Sequence, residues 1–66
     1  MSWKDKWDSY EPGRSVEEYV YEFKVNPDNV EAAAQEVAQW WEDQGEEYMD
    51  AYYVYLEAFK DYFGLL

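Results

Sequence analysis

The chain contains no cysteine and no histidine. Disulfides are therefore excluded as a source of stability, and a zinc site lacks its usual ligands. Nucleophilic catalysis loses its thiol and its commonest general base; Ser9 and Ser15 have no evident base beside them. A glycosidase-type pair of carboxylates would need a sugar cleft that 66 residues can hardly build. The calcium pattern D-x-[DN]-x-[DN]-G-x₅-E is missing, and acids spread along helix faces do not converge on a cation. No cofactor and no metal are expected, and the chain reads as a non-enzyme. No run approaches 18 apolar residues, so no membrane span is expected. The first residues, Met1-Ser2-Trp3-Lys4-Asp5-Lys6, carry charge with no apolar run behind it and do not read as a secretory signal. A cytoplasmic location follows as the expectation. Anionic lipid would repel this surface.

Basic residues are also scarce. Four of the five lie in the first 24 positions, and none occurs between Val25 and Phe59. That same segment carries nine acids: Asp28, Glu31, Glu36, Glu42, Asp43, Glu46, Glu47, Asp50 and Glu57. The net charge is −11. Helical surfaces normally mix signs, because opposite charges at i,i+4 contribute a few tenths of a kcal/mol and like charges cost as much. Here that gain is forgone over half the chain, and self-repulsion opposes compaction.

What the chain has in abundance is aromatic surface: four Trp, eight Tyr and three Phe. Each buried aromatic removes roughly 150–250 Å² from water. A chain this short buries only about 60% of its unfolded surface, so this packing has to replace the missing cross-links. A disordered acidic chain would be poor in aromatics. One folded domain, 1–66, is expected.

The three glycines and two prolines punctuate the chain. Residues 2–10 read as a short helix capped by Ser2, with Asp5 in its first turn and Trp3, Trp7 and Tyr10 at i, i+4, i+7. Glu11-Pro12-Gly13 ends it. Residues 15–25 fit two patterns. Tyr19, Tyr21, Phe23 and Val25 alternate as in a strand. Ser15-Val16-Glu17-Glu18 is a capping box followed by the helical stripe Val16, Tyr19, Val20, Phe23. Helix is favoured, because no second strand is available to pair with; a strand at 17–25 is the alternative, giving an α+β fold. Asn26-Pro27-Asp28 starts a helix that runs to about Gln44, with Val30, Ala33, Ala34, Val37, Trp40 and Trp41 on one face. Gly45 ends it. A last helix covers about Glu46–Phe63. Its core stripe is Met49, Tyr52, Leu56, Phe59 and Phe63, with Tyr48, Tyr55 and Tyr62 as a shoulder. The fold class is all-α, three to four short helices with two main antiparallel ones.

The candidate binding residues are Glu31, Glu42 and Asp43 on one helix and Glu46, Glu47, Asp50, Glu57 and Asp61 on the other. Glu46, Asp50, Glu57 and Asp61 fall in one sector opposite the apolar stripe. Carboxylates at i,i+3 or i,i+4 stand about 5–6 Å apart. Phosphates along a DNA strand are separated by a similar distance, within a few ångströms. A rigid helix pair could present the charge that a basic DNA-binding groove expects, with strong electrostatic steering. The plainer reading is a solvated face that keeps an aromatic-rich protein in solution.

A cysteine-free, strongly acidic chain under 100 residues, rich in Tyr and Trp, resembles the DNA-mimic inhibitors of phages, the anti-CRISPR and anti-restriction proteins. The resemblance rests on the acids from Asp28 to Asp61 and matches no diagnostic motif. It implies stoichiometric inhibition of a basic nucleic-acid-binding protein or complex, a CRISPR effector being one candidate, without direct binding to nucleic acid. The alternative is a non-catalytic adaptor or structural protein that binds through aromatic surfaces, with a homodimer among the options.

Overall fold

In a computed structural model of the chain, which describes residues 3–66, the described residues form four helices. These are α1 (Trp3–Tyr10), α2 (Val16–Phe23), α3 (Val30–Asp43) and α4 (Tyr48–Tyr62). The all-α expectation holds. The expected Ser2 cap lies outside the described residues.

Residues 16–23 resolve as helix, not strand. The Ser15 hydroxyl accepts a hydrogen bond from the Glu18 amide at 3.3 Å, satisfying one of the first-turn donors that has no partner within the helix. Tyr19 and Val20 are buried while Tyr21 and Glu22 face solvent, a pattern that alternation would not give. The helix ends on Lys24, which takes left-handed geometry with φ of 54° so that the Val25 amide can reach back to the Val20 carbonyl at 3.0 Å. Glycine is the usual residue at such a position, and a Cβ there is strained.

Asn26 starts the next element, as its side chain predicts. Its Oδ1 accepts from the Asp28 and Asn29 amides at 2.9 and 3.1 Å. Asn29 answers with its own Oδ1, which accepts from the Asn26 amide at 2.8 Å. This reciprocal clasp occupies residues 27–29 as a turn, and regular α-helix begins only at Val30. Gly45, with φ of 102°, turns the chain out of α3, and the Glu46 amide reaches the Trp41 carbonyl at 3.0 Å. The four residues 44–47 then lead straight into α4. A connection this short makes α3 and α4 antiparallel neighbours.

The other three helices all pack on α4, and α3 packs on it most extensively. The α3 residues that become fully buried are Val30, Ala34, Val37 and Ala38. On α4 they are Ala51, Val54, Tyr55, Ala58 and Phe59. This corrects the expected stripe. Phe59 is fully buried as expected, but Met49 is 45% exposed and Tyr52, Leu56 and Phe63 are only partly covered. Tyr55, placed on the shoulder by periodicity, has no exposed surface. The physical reason is that α4 is enclosed from more than one side. The two-helix seam assumed from spacing leaves out α1 and α2, whose Trp7, Tyr19 and Val20 close over the other flank.

Candidate partner-binding surface

Tyr55 is the hub of the aromatic core. Its ring lies 5.2 Å from Trp7, 5.4 Å from Tyr19 and 5.8 Å from Tyr10, centroid to centroid. Such tilted and edge-on pairs contribute beyond the area they bury. Its hydroxyl accepts from the Trp41 indole N–H at 2.9 Å and donates to the Glu11 carboxylate at 2.9 Å. One phenol thereby joins α4, α3 and the α1–α2 turn. That turn is held from a second side, where the Trp7 indole donates to the Arg14 carbonyl at 2.8 Å. Among the described residues no buried side-chain nitrogen or oxygen lacks a partner. Burial, reinforced by the Glu11 charge, pushes the Tyr55 hydroxyl well above the ordinary tyrosine value; the Trp41 bond offsets part of this. Burial likewise raises Tyr19.

Two of the four cations of the first segment, Lys6 and Arg14, are spent inside the molecule. Lys6 pairs with Asp50. Arg14 pairs with Glu11 at 3.4 Å and with Glu22, and its guanidinium carbon sits 5.2 Å from the centre of the Tyr19 ring. These are the ion pairs among the described residues, and none involves α3.

Two of the eight candidate acids serve the fold. Spacing puts Asp50 opposite the apolar stripe, where α1 lies against it and leaves it partly exposed. Its carboxylate accepts from Lys6 and, at 2.8 Å, from the Tyr10 hydroxyl. The Lys6 bond, then the Tyr10 bond, hold the Asp50 carboxyl below the usual aspartate value. Asp61 accepts from the Trp3 indole at 3.2 Å. Both are anchors for α1 on α4. Sequence spacing assigns them to a free face because it measures angle around one helix and carries no information about a second helix lying across that face.

The other six, Glu31, Glu42, Asp43, Glu46, Glu47 and Glu57, are solvent-exposed. They do not form one continuous row. Glu42, Asp43, Glu46 and Glu47 cluster at the turn that joins α3 to α4, whereas Glu31 opens α3 and Glu57 lies late in α4. Gln39 braces part of the cluster. Its side-chain nitrogen donates to Glu42 at 3.2 Å and to Asp43 at 3.3 Å, holding two like charges side by side. The i,i+3 and i,i+4 spacing of Gln39 to the two acids is the signal the sequence offers for this brace.

A second feature escaped the sequence reading. Between α2 and α3 lies an open cleft of about 500 Å³, floored by Tyr19, Val25, Ala33 and Val37. Phe23, Trp40 and Trp41 line it, as do Glu11, Arg14 and Glu36. Trp40 was expected on the buried face of α3, yet it is 54% exposed, and Phe23 is 50% exposed. The described residues hold no group of three or more acids arranged for a metal ion. No helix is long and apolar enough to cross a membrane. No family model, curated protein or solved structure matches the chain.

Proposed function

We propose that the protein is a non-catalytic, stoichiometric inhibitor that offers a fixed array of carboxylates to the basic groove of a nucleic-acid-binding protein. The observation that carries this reading is the set of six exposed acids on the α3–α4 hairpin, none of them ion-paired within the described residues, while Lys6 and Arg14 are consumed elsewhere. The hairpin is well suited to the task in physical terms. It is rigid, its seam being filled by small residues and by Val54 and Phe59, so little conformational entropy is lost on binding. The Gln39 brace pre-orders Glu42 and Asp43. Attraction between this surface and a Lys- and Arg-lined groove speeds encounter and weakens with salt. Like charge keeps the protein off DNA itself.

The test is a gel-shift competition against a type I CRISPR surveillance complex loaded with its duplex. The wild-type protein should leave free duplex unmoved and release duplex from the complex. The Glu42→Lys, Glu46→Lys, Glu57→Lys variant should fold and lose the release. A direct shift of free duplex, or full activity of the triple reversal, refutes the proposal.

A further inference from the structure

The cleft between α2 and α3 plays no part in the acidic-array reading. Tyr19, Val25 and Val37, which form its floor, are core residues whose far side completes the packing against α4. Phe23 and Trp40 are different. They leave about half their surface in water at the cleft mouth, where burial would have stabilised the fold. Phe23 is not loosely placed, since its ring stacks on Tyr19 at 4.4 Å. Trp40 is braced edge-on against Trp41 at 4.8 Å, and Trp41 is fixed by its bond to Tyr55. Two exposed aromatic side chains are thus held in place around an apolar trough of ligand-pocket size.

Charge selects the occupant. The carboxylates that line the cleft are Glu11 and Glu36. Beyond the lining, α2 carries Glu17, Glu18 and Glu22 and α3 carries Glu31, Glu42 and Asp43, with no Lys or Arg in either helix, although Lys24 follows directly on α2. Glu36 lines the cleft itself and has no ion-pair partner among the described residues. Arg14, the one cation that lines the cleft, is neutralised by Glu11 and Glu22. A nucleic acid or an acidic peptide would be repelled. A second copy would bring another net charge of −11 against the first. The eight residues of α2 extend about 12 Å at 1.5 Å per residue, room for roughly two turns of a docked helix.

We propose that this cleft docks a basic amphipathic helical segment of a partner protein, its apolar face seated between Phe23 and Trp40 and its Lys or Arg flanks beside the α2 and α3 carboxylates. This stands independently of DNA mimicry, because it requires the cleft and not the hairpin turn. Helix-in-groove recognition uses apolar anchors at i, i+3 or i+4, and i+7, and aromatic residues dominate its energetics.

Three synthetic probes test it by calorimetry and tryptophan fluorescence: a helical Leu/Lys peptide with an i,i+3,i+4,i+7 apolar face, a Leu/Glu peptide of the same pattern, and oligolysine. The Leu/Lys peptide should bind one to one with a blue-shifted emission. The Phe23→Ser, Trp40→Gln variant, shown helical by circular dichroism, should bind it at least tenfold more weakly. Glu46→Lys with Glu57→Lys, outside the cleft, should change that affinity less than threefold. Oligolysine should produce no blue shift. The inference is overturned if the Leu/Lys peptide does not bind, or if its binding ignores the cleft variant. It is equally overturned if the Leu/Glu peptide binds as well, or if sedimentation shows a dimer that the cleft variant abolishes. The hairpin reading is tested separately by duplex release, so either can fail alone.

Discussion

Alkaline pH should unfold this protein through its buried tyrosines, and Tyr55→Phe should change the course of that unfolding in a defined way. Tyr19 and Tyr55 are nearly or fully buried, and burial raises both above the ordinary value. Tyr10, partly buried and bonded to Asp50, is raised as well. In the unfolded chain each titrates near about 10. Below that pH both states keep the proton and stability does not respond. Above it the unfolded state releases protons that the folded state retains, so stability falls as pH rises. Each such group costs about 1.4 kcal/mol per pH unit, so the three together cost about 4 kcal/mol per unit. A domain of this size has roughly 3–10 kcal/mol to lose. Tyr55→Phe keeps the ring but removes the hydroxyl between Trp41 and Glu11. At neutral pH that should cost about 2 kcal/mol, since the lost bond has a charged, mostly buried acceptor. Above pH 10 the variant should lose stability at about two thirds of the wild-type slope, because one of the three groups is gone. Urea unfolding at stepped pH, followed by circular dichroism and tyrosinate absorbance, reads both quantities. If the alkaline slope is the same in both proteins, or if every tyrosine ionises near pH 10 with the helices intact, the reasoning is wrong.

Four further outcomes are expected. Lys24→Gly should raise stability by about 0.5–1 kcal/mol, by removing a side chain from left-handed geometry, and a denaturant midpoint will show it. Asp50→Ala should lower stability by about 1 kcal/mol, because the ion pair it removes is partly exposed and the Tyr10 hydroxyl loses its acceptor; the same midpoint reads the loss. The melting temperature should rise from low to moderate NaCl as ions screen the repulsion over about 8–10 Å. Glu46→Lys with Glu57→Lys should leave the melting temperature unchanged or higher, since both side chains are exposed and both changes reduce net charge.

The sequence alone determined the four helices and the turns between them, though α3 and α4 begin a few residues later than the spacing predicts, at Val30 and Tyr48. Ser15, Asn26 and Gly45 act on backbone groups within a few residues of themselves, so their effect is visible in a short window. It also placed the candidate acids Glu31, Glu42 and Asp43 on exposed positions of α3, away from the residues that pack on α4. Tertiary structure decided the rest. Helix α4 meets three neighbours, so its buried arc is wider than one stripe, and Tyr55 moves from shoulder to centre. Asp50 is partly exposed and Asp61 exposed, and both take bonds from α1 side chains that spacing around α4 does not show. The cleft exists because α2 and α3 each pack on α4, which leaves Phe23 and Trp40 facing open space between them. Periodicity reports the angle of a residue about its own helix axis. Which other helix stands at that angle is a property of the assembled molecule.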